Sequence, residues 1–209
     1  VASDFNNAYA PSTGEVKLLV IPISFIGDAK DKPSSSYIDW NDTQINKVND
    51  FYFGQSDSLY AYYSAASFNQ LHISGMVAPI YENSTIATSD VCDDTSYQTL
   101  FDLIENAVNW LEDTQEDINW SEYDLNQDGC IDNVHLITNY YEQEWSEPLC
   151  PHMYQTNRIG TLERPSANVY SISNTGFMTD SITSIHEQGH IFGLQDYYDY
   201  SPDSEIDYV

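Results

Sequence analysis

VKLLVIPISFIGD, Val16 to Asp28, is an apolar, β-branched run closed by Gly27 and Asp28, and it is the best candidate for a central strand. Upstream, residues 1–15 (VASDFNNAYAPSTGE) are small and polar and read as a loose N-terminal segment. Downstream, DAKDKPSSS is a loop, Ile45 to Tyr52 is compatible with a helix, and Leu59, Tyr62, Tyr63 and Ala66 recur at helical spacing. LHISGMVAPIY, Leu71 to Tyr81, alternates and predicts a strand or hairpin. Leu100, Leu103, Ile104, Ala107, Val108 and Leu111 form one apolar stripe, so Tyr97 to Glu112 is an amphipathic helix with acids on its outer face. Asn133 to Tyr141 reads as a second buried strand, Glu142 to Arg164 as irregular, Ala167 to Ile172 as a strand and Thr179 to Leu194 as a helix. Strands and helices mix without strict βαβ alternation. The expected fold is therefore α+β, a mixed twisted sheet packed with helices, in one domain over 16–209.

The composition excludes several classes of function. With 209 residues, 41% apolar and 14% aromatic, the chain can bury a core and is not a disordered polymer. Six Lys and Arg against 33 Asp and Glu give a formal charge of −27. Such a surface repels phosphate backbones and anionic lipid, which argues against a nucleic-acid partner. It favours divalent cations, a salty medium or an extracellular setting, and halophilic origin would leave the same mark. The longest apolar run, Leu18 to Ile26, is interrupted by Pro22 and Ser24 and is too short for a membrane span. No signal peptide opens the chain, so any export signal is expected to have been removed. Cys92, Cys130 and Cys150 contain no C-x-x-C pair and allow at most one internal disulfide.

HEQGHIFGLQD, His186 to Asp196, carries the chemistry. Histidines four apart on a helix lie about 40° apart around its axis, so both imidazoles face the same way and can share one zinc ion. Glu187, beside them, is placed to take a proton from water while zinc polarises a carbonyl. Gly189 and Gly193 weaken a helix, which points to a close approach or a stop. A turn at Gly193 would let Asp196 swing in as third ligand, with Asp199 as the fallback. The spacing H-E-x-x-H-x-x-G-x-x-D is the metzincin pattern with Asp in place of its third histidine.

A second motif precedes the strand at Asn133. Asp124, Asn126, Asp128, Gly129, Cys130 and Asp132 match positions 1, 3, 5, 6, 7 and 9 of an EF-hand-type calcium loop. Cys130 would offer its backbone carbonyl. Position 12 is His135 in place of the usual glutamate, so a last ligand would come from elsewhere or from water. His72 and His135 lie in strand-like runs and are expected to be structural. His152, after Pro151, is a candidate for lining the site. Tyr197, Tyr198 and Tyr200 follow the third-ligand position, and the acids Glu112, Asp113, Glu116 and Asp117 read as a solvated helix end.

HEQGHIFGLQDYYD resembles the zinc motif of the immune inhibitor A family of secreted, mostly bacterial metallopeptidases. VKLLVIPISF, SLYAYYSAASFNQLHISGMV, INWSEYDLNQDGCIDNVHLI and PHM resemble further segments of that family in the same order, across most of residues 16–200. The resemblance implies a secreted, zincin-type catalytic domain with its zinc helix near the C-terminal end. It implies His186, His190 and Asp196 as zinc ligands, Glu187 as base, a protein or peptide substrate, and structural calcium at the Asp124–Asp132 loop. Met76, Met153 and Met178 all precede His186, so the methionine-bearing turn that follows the zinc helix in metzincin-like enzymes is expected to be missing from this chain. The alternative reading is a non-catalytic, calcium-stabilised extracellular binding domain on a degenerate peptidase fold. The intact Glu187 between intact histidines argues against it.

Overall fold

Gly14–Phe25 forms β1, the long interior strand of a six-stranded mixed sheet. The computed structural model describes residues 9–25, 39–140, 148–175 and 181–196. After β1 come α1 (Asp42–Phe53), α2 (Leu59–Ala66), β2 (Leu71–Val77), β3 (Tyr81–Asn83), α3 (Thr88–Cys92) and α4 (Gln98–Thr114). β4 (Val134–Thr138), β5 (His152–Gln155), β6 (Val169–Asn174) and α5 (Ser181–Ile191) follow. The strand order is β2-β1-β4-β6-β5, with β3 beside β1. Every pairing is parallel except β5 against β6. Helices cover both faces, and no described helix is long and apolar enough to cross a membrane.

Alternation along the strands sorts their side chains onto two faces. Leu19, Ile21 and Ile23 of β1, Val134 and Leu136 of β4, and Tyr170 and Ile172 of β6 pack with the Leu100, Leu103, Ile104, Ala107, Val108 and Leu111 stripe of α4. Each buried leucine there stabilises the fold by about 1.5–3 kcal/mol. On the other face Val16, Leu18 and Val20 meet Val48 and Tyr52 of α1, Leu59 and Tyr63 of α2, and Ile191 of α5.

Several sequence expectations are corrected. Of the strand or hairpin expected over Leu71 to Tyr81, the strand is found at Leu71–Val77 and the hairpin is not: β2 pairs with Gly14–Val20 and β3 with Ile23–Phe25, both parallel to β1 along the same edge. Pro79 lies in the gap and has no N–H for the ladder. The stretch expected to be irregular contains β5, a four-residue edge strand too short to show a period. At the N-terminal side, Gly14 and Glu15 already belong to β1, and buried Ala10 donates its N–H to the Ile191 carbonyl at 3.0 Å. Glu112 is no solvated helix end, since its carboxylate accepts from Arg164 Nε at 2.9 Å with only 4% of the side chain exposed.

Candidate metal centre

α5 packs on β6, β5 and α2. Its Ser184, Gln188 and Ile191 are buried, whereas His186 and His190, about 200° around the axis from Gln188, face outward. Gly193 ends the helix at φ +81°, a left-handed conformation that favours glycine. The Gly193 N–H donates to the His190 carbonyl at 2.9 Å and the Leu194 N–H to the Gly189 carbonyl at 3.0 Å. This turn brings Asp196 back over the helix.

The result is a triangle of donor atoms. His186 Nε2 and His190 Nε2 are 3.1 Å apart, and Asp196 Oδ1 lies 3.0 Å from the first and 3.3 Å from the second. Tetrahedral zinc with ligand bonds of about 2.0–2.1 Å spaces its ligand atoms about 3.3 Å apart. The three edges fit that geometry. His190 Nδ1 lies 2.7 Å from the Leu194 carbonyl oxygen and donates to it, which in the neutral ring leaves the Nε2 lone pair facing the triangle. A proton on His186 Nε2, or a cation among the three donors, offsets the repulsion of lone pairs and a carboxylate oxygen at these separations. Asp196 joins the histidines; Asp199, Tyr197, Tyr198 and Tyr200 lie outside the described residues.

Glu187 stands on the β5 flank of the helix. Its carboxylate is buried and accepts a hydrogen bond from the backbone N–H of Met153. Burial raises its pKa, with His186 and His190 opposing and Asp196 adding to the rise. A carboxylate so placed is a better proton acceptor than one in water. On the opposite flank Tyr63 of α2 donates to the Ile185 carbonyl at 2.6 Å. Here an apolar pocket of ≈ 510 Å³, walled by Tyr62, Tyr63, Ile185 and Leu194, opens beside the three donors. A Cβ on Gly189 would stand 3.3 Å from the Tyr63 hydroxyl, which explains the small residue between the histidines.

The Asp124–Asp132 loop is wound around its own carboxylates. Asp124 accepts from the N–H groups of Asp128 and Gly129, each at 3.0 Å, and Asp132 from that of Leu125 at 2.8 Å. Gly129 has φ +81°. Asp124 and Asp132 are buried, and burial, aided by Asp124 and Asp128, pushes the Asp132 carboxyl up to about 6. Burial likewise pushes the Cys130 thiol up to about 12. Among the described residues, the aspartates of this loop do not converge as His186, His190 and Asp196 do. His135, at loop position 12, turns away into the sheet between Ser171 Oγ at 2.7 Å and Ser173 Oγ at 2.8 Å.

His135 is thus the structural histidine that was expected. His152 lines no part of the donor triangle: its ring nitrogens stand 2.7 Å from the Cys150 carbonyl and 3.0 Å from the Tyr170 hydroxyl. His72 is half-buried beside a smaller pocket next to β2. Two contributors escaped the sequence reading. The Met153 N–H is a backbone group and leaves no mark in a sequence. Gln188 did leave one, as a polar residue on the sheet-facing side of an otherwise readable helix. No family model and no curated protein matches the chain.

Proposed function

We propose that this chain is the catalytic domain of a secreted, metzincin-like zinc endopeptidase, similar to the immune inhibitor A family. The donor triangle with Glu187 at its flank supports this reading most strongly. His186, His190 and Asp196 would hold the zinc, which supplies Lewis acidity toward a peptide carbonyl and toward water. Glu187 takes the proton from the attacking water and returns it to the departing amine. The Met153 N–H holds the carboxylate in place by a hydrogen bond. Among the described residues β5 pairs only with β6, so its outer edge is suited to an extended substrate lying alongside as an added strand. The −27 charge favours cationic substrates by long-range steering. Calcium at the Asp124–Asp132 loop would offset the repulsion among its buried carboxylates and stiffen the approach to β4.

The test is digestion of a mixed peptide library, with zinc and calcium present, by the parent chain and by Glu187→Ala. The parent is expected to cleave, and the variant to lose about 10²–10⁴-fold in rate while still binding zinc. Equal cleavage by both, or by neither once zinc uptake is verified, contradicts the proposal.

A further inference from the structure

The face that α5 turns to the sheet carries buried Ser184 and Gln188 beside Ile191, polar groups where an apolar stripe would be expected. Gln188 is fully buried, and its Nε2 donates to Asn133 Oδ1 at 2.9 Å and to Ser171 Oγ at 3.4 Å. Ser171 is in turn held by His135, whose other ring nitrogen engages Ser173. The Asn133 carbonyl accepts from the Leu19 N–H at 3.0 Å, which ties this anchor to the central strand β1. Gln188 Oε1 and Asn133 Nδ2 are buried and meet no hydrogen-bond partner among the described residues. A buried amide pair only half satisfied is unfavourable for stability compared with an apolar contact of the same volume. Its merit has to be something other than stability.

We propose that Gln188 is a positioning residue, whose buried bond to Asn133 and Ser171 fixes the rotation of α5 and thereby the placement of His186, Glu187 and His190. The inference rests on the metal reading above. A helix rotation of about 10° moves an atom about 6 Å from the axis by about 1 Å. That is several times the roughly 0.2 Å latitude of a metal–ligand bond. Apolar packing is non-directional and resists such a rotation weakly. A hydrogen bond on the face opposite the ligands resists it directly. Gln188 stands two residues from each histidine and next to Glu187, so one anchor serves all three.

The experiment separates stability from geometry. Cobalt(II) and zinc are titrated, each alone, into chelator-stripped parent, Gln188→Leu and the double variant Gln188→Leu/Asn133→Leu, with thermal midpoints recorded in parallel. Gln188→Leu is expected to lower the midpoint, because it leaves the whole Asn133 amide buried and unpaired. The double variant regains most of that loss, since both partners are then apolar. Metal affinity is expected to stay down about tenfold in the double variant, and the visible absorption of bound cobalt to differ from the parent's. A double variant that matches the parent in both affinity and spectrum overturns the positioning role and leaves the metal reading standing. A parent that takes up neither metal overturns both. Should the double variant not fold, Gln188→Met, which keeps the length and deletes the donor, carries the same comparison.

Discussion

The two faces of the sheet were built to different rules. Beneath α4, β1, β4 and β6 present Leu19, Ile21, Leu136, Tyr170 and Ile172, and the helix answers with an unbroken apolar stripe. Beneath α5, β4 and β6 present His135, Ser171 and Ser173 beside Ile137 and Val169, and the helix answers with Ser184 and Gln188 beside Ile191. The first face has the pattern that maximises burial. The second gives up apolar contact for directional bonds under the helix that carries the histidines. Where a fold departs from its own packing rule, a function that needs fixed geometry is the natural place to look.

Substitutions sharpen this contrast, in descending order of effect. His190→Ala removes a donor from the outward side of α5, and both zinc uptake and peptide hydrolysis are expected to vanish. Circular dichroism should stay close to the parent's, because the ring supports no core. Leu136→Ala, on the α4 face, is expected to cost about 2–5 kcal/mol in urea unfolding. Zinc affinity per folded molecule should not change, and a parallel loss of affinity would show that the faces are not separable.

The buried His135 gives the α5 face a pH dependence of its own. Burial pushes its pKa down to about 3, below the ordinary value near 6.5. The unfolded chain therefore binds the extra proton between those two values. The stability that the neutral ring supports is complete above about pH 6.5 and falls as pH drops toward 3, by up to about 1.4 kcal/mol per pH unit. Urea midpoints for the parent should fall across that window, and His135→Gln should flatten the slope. Smaller still is Gly193→Ala, which forces φ +81° on a residue with a Cβ. It is expected to cost about 1–2 kcal/mol and to weaken zinc binding by displacing Asp196.

The α4 face was legible because burial there is periodic: the Leu100–Leu111 stripe and the Val16–Asp28 run announce a helix and a central strand by themselves. The His186–Asp196 site was legible for a different reason, since ligand spacing on a helix is a local property and Gly193 marks the turn. What the sequence did not show depends on distant partners. β5 exists because β6 pairs with it, and nothing within HMYQ declares a strand. Gln188 reads as one polar residue among many until Asn133 and Ser171, 55 and 17 residues away, are seen beneath it. The acidic loop was visible as a spacing pattern, but spacing does not report whether its carboxylates converge.

The most direct test of the central claim is zinc stoichiometry, by calorimetric titration of chelator-stripped protein, for the parent and for Asp196→Ala. The account predicts one tightly held ion at the His186–His190–Asp196 triangle in the parent. In the variant that binding should be weaker by at least about a hundredfold, and calcium should not compete for it. Zinc bound with the same affinity in both proteins, or not bound by the parent at all, would contradict the account.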